Sequence, residues 1–241
     1  MKKTVLITGA NKSLGFETAR QLLQSDYKVF IGSRDRERGE KAVADLKAQG
    51  FDDVEVLELE VTDDNSIRKA KADLESRIGT LDVLINNAGI PGTYPQHASE
   101  VTQENLKNVF ETNFFAPINV TQAFLPLLRK STAPRVVNVS SDLGSLDNHS
   151  DPNWRHYDVK LTAYCASKTA LNAFTVMLAY EFKDTDFKIN SVNPGYTATD
   201  FNNHTGYKTV EEGASVIAKY AMIGNDGPTG KFFSEEGETG W

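Results

Sequence analysis

The sequence predicts a single, doubly wound α/β domain built on a parallel sheet of about seven strands. Three observations lead there. Apolar runs of strand length alternate with amphipathic stretches of helix length along the whole chain. The runs are continuously apolar rather than alternating, which is what a sheet covered on both faces requires. Finally, no Pro/Gly-rich linker, internal repeat or shift in composition divides the 241 residues.

Taken in order, "TVLITG" reads as the first strand, 14–25 as a helix and "KVFIGS" as the second strand. A charged helix over 36–49 leads to "VEVLELEV", and a helix over 64–78 leads to "LDVLINNAG". One long helix is expected over 102–130, followed by the strand "RVVNVSS". A second long helix, over 161–183, precedes "KINSVNPG", and a helix over 210–222 precedes "KFFSE". Strand–helix alternation of this kind implies parallel strands joined by right-handed crossovers. Ligands of such sheets bind beyond the carboxyl ends of the strands, so the chemistry is expected just after each apolar run.

Composition narrows the classes of function. With 33 acidic against 26 basic residues the net charge is −7 and no basic tract stands out. That argues against a nucleic-acid partner and against an anionic membrane surface. The apolar runs are too short to span a bilayer. The N-terminal "MKKTVLITG" runs straight into a turn, and so reads as a strand rather than a leader. A single cysteine, Cys165, cannot form an internal disulfide, and the expected compartment is a reducing cytoplasm. His149 and His156 have no carboxylate or cysteine cluster at ligating spacing, so no metal is expected.

Two patterns carry chemistry. In "TGANKSLG", Gly9, Ser13 and Gly15 punctuate a strand-to-helix turn. Small residues there let a backbone approach a pyrophosphate and aim the helix N-terminus at it. In "TAYCASK", Tyr164 stands four residues ahead of Lys168, which places both on one helical face. Such a pair is commonplace, and the ring can simply pack while the lysine is solvated. In the other reading the ammonium stabilises the phenolate and draws a phenol of pKa about 10 towards the range of a general acid or base.

The turn "TGANKSLG" resembles the T-G-x-x-x-G-x-G turn of the short-chain dehydrogenase/reductase family, with Ser13 where the family usually has glycine. "NNAG", Asn113 in "FETNFFAP", "VNVSS", "YCASK" and "NPGYTATD" then follow in the family's order, so the resemblance covers nearly the whole chain. It implies a Rossmann-type fold and hydride transfer between a nicotinamide and a carbonyl carbon. By this resemblance Tyr164 is the general acid for reduction and Ser141 orients the carbonyl. Lys168 holds the nicotinamide ribose and lowers the phenol's pKa, and Asn113 positions a water in the proton relay. The implied cofactor contacts in the turn are Gly9, Asn11, Lys12, Ser13, Leu14 and Gly15. Asn87, Ala88 and Gly89 follow the fourth strand, and Pro194, Gly195, Thr197 and Thr199 lie beside the nicotinamide. Glu60 and Val61 stand where the family usually has Asp-Val near the adenine.

The end of the second strand decides the cofactor. An acidic residue there accepts from a free ribose 2′-hydroxyl, whereas arginine pairs with a 2′-phosphate. In "FIGSRDRERG" the strand is followed by Arg34, and Lys12 offers a second charge. NADP(H) is therefore expected. NAD(H) is the alternative, read by Asp35 if the strand runs one residue longer.

The stretch 142–163, "DLGSLDNHSDPNWRHYDVKL" and onward, is longer than is usual in the family between Ser141 and Tyr164. This insertion is similar to that of the carbonyl reductase branch, whose members reduce ketones and quinones with NADPH. Its Trp154 and Tyr157, with Tyr196 beside the "PG" turn, are the candidate substrate wall, and Tyr94 and Phe201 are candidates to complete it. The expected partner is a small carbonyl or alcohol. The resemblance also implies a homodimer paired through the two long helices, with a monomer as the alternative because the insertion abuts the second helix. The rival reading, a catalytically idle NADP-binding sensor or scaffold, fits poorly with a chain that keeps the serine, tyrosine and lysine together. An epimerase or dehydratase would need a longer substrate domain than this chain has room for.

Overall fold

The strands are β1 (Thr4–Thr8), β2 (Lys28–Ser33), β3 (Val54–Glu58), β4 (Val83–Asn86), β5 (Arg135–Val139), β6 (Lys188–Val192), β7 (Phe232–Ser234) and β8 (Gly237–Glu238). In the computed structural model, which describes residues 2–241, they form one sheet in the order β3-β2-β1-β4-β5-β6-β7-β8. All pairings are parallel except β7 with β8. The helices between them are α1 (Ser13–Gln24), α2 (Arg36–Ala48), α3 (Asp64–Arg77), α4 (Gln103–Phe110), α5 (Ala116–Leu128), α6 (Leu146–Ser150), α7 (Thr162–Glu181) and α8 (Val210–Ala221).

Each strand's apolar run is divided between two cores. In β1, Val5 and Ile7 join Leu22 of α1, Leu46 of α2 and Ile217 of α8 on one face. Leu6, between them, points the other way, into Leu74 of α3, Phe124 of α5 and Leu178 of α7. This two-faced cover is why the strands carry no polar alternation. A wholly buried leucine such as Leu6 stabilises the fold by about 1.5–3 kcal/mol over its exposed state. Strand order reverses between β1 and β4, which opens a crevice at the carboxyl ends of these strands.

Two details differ from the sequence expectation. The sheet gains an eighth strand: "KFFSE" pairs in parallel through β7, then turns at Gly237 (φ +125°) into the short antiparallel β8. A two-residue strand carries no hydrophobic pattern to announce it. The long helix expected over 102–130 is interrupted by a π-helical turn at Glu111–Phe115. Pro117 has no N–H to offer the carbonyl of Asn113 four residues earlier, so the α-helical bonding pattern is interrupted there.

Candidate active site

A cleft of about 690 Å³ runs along the carboxyl ends of the strands at the reversal point. Its floor is the turn between β1 and α1. Gly9 (φ +63°) and Ser13 (φ +51°) both adopt left-handed backbone, so Ser13 fills a glycine conformation with a side chain. A Cβ on Gly15 would come within 2.8 Å of Ala10 Cα and Gly9 O. Lys12 opens α1 without a side-chain cap, leaving the first-turn N–H groups for a ligand. The turn is pinned from behind, since Thr8 Oγ1 accepts from Asn87 N and Ala88 N at 3.0 Å each. Asn87 Nδ2 in turn donates to Thr8 O at 2.9 Å. An open backbone cradle against an uncapped helix end fits the pyrophosphate of a dinucleotide.

At the other side of this turn β2 stops at Ser33, directly before Arg34 and Asp35. Asp35 is the N-cap of α2: its carboxylate accepts from Arg38 N at 3.1 Å and pairs with the Arg38 side chain. It is thereby turned away from the cleft, whereas Arg34 lines it, 76% exposed and 3.8 Å from Glu60. Glu60 lines the cleft with Val61 and also accepts from Thr62 N and Oγ1. Lys12 is engaged elsewhere, in an ion pair of 2.8 Å with Asp200.

At the other end lie Ser141, Tyr164 and Lys168. Both Ser140 and Ser141 line the cleft, but Ser140 is 3% exposed with its Oγ directed at Lys168 O (3.5 Å), whereas the Ser141 hydroxyl reaches the Tyr164 phenol. Lys168 is 5% exposed and donates from Nζ to Val139 O at 2.8 Å, with Nζ 5.8 Å from the Tyr164 ring centroid. Burial pushes its pKa down to about 8. Burial also pushes the Tyr164 phenol up, while the Ser141 hydroxyl acts in the opposite direction. Loss of water around the phenolate therefore dominates at Tyr164, while the Lys168 ammonium is directed at the Val139 carbonyl.

Asn113 stands behind the cleft, fully buried. Its Nδ2 donates to Ile90 O at 2.9 Å and Ser167 Oγ at 3.1 Å, and its Oδ1 accepts from Ile90 N at 2.8 Å. The side chain is fully used in holding the loop after β4. The remaining residues named from the sequence, Asn11, Leu14, Gly89, Pro194, Gly195, Thr197 and Thr199, all line the cleft.

The expected substrate wall is placed elsewhere. Trp154 packs edge-on between His149 and His156, with ring centroids 5.3 and 5.5 Å away. Tyr157 lies under the Lys160 amine, and Tyr196 packs near Tyr207 and hydrogen-bonds Thr205. None of the three lines the cleft, because the insertion's rings find partners in each other and in the segment before α8. Phe201 takes that position: its ring meets Tyr164 at 5.5 Å and 60°. Asp200, Ile90 and Pro91 also line the cleft, as do Asn108, Glu111 and Thr112 from α4 and the π turn. The last three were readable as one helix face at i, i+3 and i+4.

Residues 3–209 match the family model described as short chain dehydrogenase. The chain belongs to the short-chain dehydrogenase/reductase family. It is an NAD(P)-dependent oxidoreductase of that type. It is 32% identical to (+)-neomenthol dehydrogenase of Capsicum annuum, over 95% of this chain and 94% of that protein. The alignment runs to 300 positions, so that relative carries internal segments this 241-residue chain lacks. Among solved structures, NADPH-bound carbonyl reductase from chicken fatty liver superposes with a TM-score of 0.86 at 27% identity, covering 100% of this chain and 99% of that one. Salutaridine reductase from Papaver somniferum does so with 0.84 at 27% identity, over 97% and 100%. No helix among the described residues is long and apolar enough to cross a membrane.

Proposed function

We propose that this oxidoreductase is an NADPH-dependent carbonyl reductase acting on bulky or aryl ketones and aldehydes. The observation that carries the reading is one cleft with Arg34 at its ribose end and Ser141, Tyr164 and Lys168 together at the other. The reduced nicotinamide, when bound, supplies the hydride for the carbonyl carbon. Tyr164 gives its proton to the carbonyl oxygen, and burial keeps the phenol protonated at neutral pH, as a donor for reduction must be. Ser141 donates to the same oxygen and holds it in place. Lys168, charged below about pH 8, supplies the positive field in which a phenolate can form.

Asn113 serves the proton relay through its backbone carbonyl, to which Pro117 has no N–H to donate, because its amide is spent on Ile90 and Ser167. Arg34 pairs with the ribose 2′-phosphate, where its fork of donors suits a phosphate better than a hydroxyl. Phe201, Ile90, Pro91 and Val139 give the reacting end an apolar wall. The names of the relatives, among them a carbonyl reductase determined with NADPH, support the same reading.

The test is initial-rate oxidation of NADPH and NADH against a panel of aryl ketones, aldehydes and quinones, with Tyr164→Phe as the blank. Turnover that favours NADPH and vanishes in Tyr164→Phe is expected. Arg34→Gln should raise the KM for NADPH about tenfold or more while leaving NADH unchanged. A native preference for NADH would refute the cofactor assignment.

A further inference from the structure

The helix that carries Tyr164 and Lys168 begins without a cap of its own. Leu161 precedes α7 and has no polar side chain to offer the first-turn N–H groups. A single residue from a distant loop meets that need. Thr162 N donates to Gln96 O at 3.0 Å, and Tyr164 N donates to Gln96 Oε1 at 3.1 Å. The other half of the amide, Nε2, donates to Pro91 O at 2.8 Å. Gln96 is 2% exposed, although it belongs to a loop between β4 and α4 where a glutamine is normally solvated. The packing around it is close: Gly92 has φ +80°, and a Cβ there would stand 2.6 Å from Val109 Cγ2, 2.7 Å from Asn105 Oδ1 and 3.2 Å from Gln96 Nε2.

The contacts continue in both directions. Pro91 lines the cleft, and its neighbour Ile90 is gripped on both backbone groups by Asn113. One connected set of bonds therefore runs from Asn113 through Ile90, Pro91 and Gln96 to the backbone of Tyr164. Lys168, one turn further on, is held separately by Val139 O. Helix ends fray first, and Tyr164 lies in the first turn of α7.

We propose that Gln96 is a positioning residue for the proton donor: it fixes the first turn of α7 and so the place of the Tyr164 phenol against the cleft. The proposal rests on the reading of Tyr164 as the acid. Loss of the amide contacts displaces Tyr164 while leaving Lys168 and the phosphate turn in place. Turnover and cofactor affinity should therefore separate.

The experiment uses Gln96→Met, which keeps the length and removes both amide bonds, and Gln96→Glu, which keeps the acceptor. NADPH affinity, turnover per NADPH-binding site with the best carbonyl of the panel, and amide hydrogen exchange along α7 are measured for each. Gln96→Met should lose about ten- to hundredfold in kcat per binding site with NADPH affinity intact. Exchange should accelerate at 162–165 and stay unchanged over 169–181. In Gln96→Glu the protonated side chain makes both bonds and the ionised one only that to Tyr164 N. Its kcat should therefore fall with rising pH in a step that the wild type lacks.

Unchanged kcat and exchange in Gln96→Met overturn the proposal, as does loss of turnover only in proportion to lost NADPH binding. If Gln96→Met does not fold, a Gln96→Glu pH profile matching the wild type overturns it instead. Tyr164→Phe is run alongside: wild-type turnover there would sink the acid assignment and this proposal with it. An inactive Tyr164→Phe beside a fully active Gln96→Met would sink this proposal alone.

Discussion

Lys12 and Asp200, 188 positions apart in the chain, form an ion pair of 2.8 Å that ties the phosphate turn to the segment after β6. The Lys12 ammonium, aided by His204 at 2.9 Å, holds the Asp200 carboxyl below the usual carboxylate range. Asp200 also begins the helical turn Asp200–Asn202, which sets Phe201 against Tyr164. Both partners are about half exposed, so the pair adds little to stability. Its importance lies in the field at the cleft, since Asp200 neutralises the Lys12 charge that the proposed function would offer to a cofactor phosphate.

Asp200→Asn is therefore expected to tighten NADPH binding by about two- to fivefold in dilute buffer, a gain that shrinks at high salt. Fluorescence titration at two ionic strengths checks this. Weaker binding in the variant would mean that the pair closes over the cofactor rather than competing with it.

The pH dependence of reduction follows from two buried groups with opposite shifts. Tyr164 is pushed up and keeps its proton well beyond neutrality, so it does not limit the alkaline side. Lys168 is pushed down to about 8, so its charge is present below that pH and is lost as pH rises through it. The expected profile of kcat/KM for carbonyl reduction is level through neutrality and falls above about pH 8. A profile flat to pH 10 would remove the Lys168 charge from the mechanism.

The aromatic rings around the cleft give a direct comparison. Phe201 touches Tyr164, whereas Trp154 is held by two histidines outside the cleft lining. Phe201→Ala should raise the KM for aryl ketones about tenfold, the order of one lost apolar contact, with NADPH affinity near normal. Trp154→Ala should leave that KM unchanged and lower Tm instead, since it opens the packing of the insertion. The reverse pattern in steady-state kinetics and thermal melts would return the substrate wall to the insertion.

What the sequence made legible was local. The apolar runs of β1, β2 and β4 announce a sheet buried on both faces, and the residues directly after them line the cleft because the topology leaves them no other place. Which of Arg34 and Asp35 faces the cleft depends on where β2 ends, and a strand end carries no sharp signal in the sequence; in the structure β2 stops at Ser33, Asp35 caps α2 and Arg34 lines the cleft. Trp154 and Tyr196 lie outside the cleft lining because loop rings pack on whichever neighbours the tertiary fold brings, here His149 and His156 for Trp154, and His156 and Tyr207 for Tyr196. The Lys12–Asp200 pair and the Gln96 contacts with α7 join segments whose separation along the chain leaves no periodic trace.

Ser13 combines a cost and a use at one position. Its φ of +51° belongs to the left-handed region, which penalises a side chain by about 1–2 kcal/mol. Glycine there escapes the penalty but loses about 0.4–1 kcal/mol through the greater freedom of its unfolded chain. The balance favours Ser13→Gly by somewhat under about 1 kcal/mol, or a Tm rise of roughly 1–3 °C for a chain of this length. Against this, the serine lines the cleft at the phosphate turn, where its hydroxyl can donate to a bound phosphate. Ser13→Gly should therefore melt higher and bind NADPH about threefold more weakly, the opposed signs expected of strain kept at a binding site. Thermal melts with and without NADPH read both signs in one experiment. A variant that melts lower without cofactor would show that the turn carries no strain at Ser13.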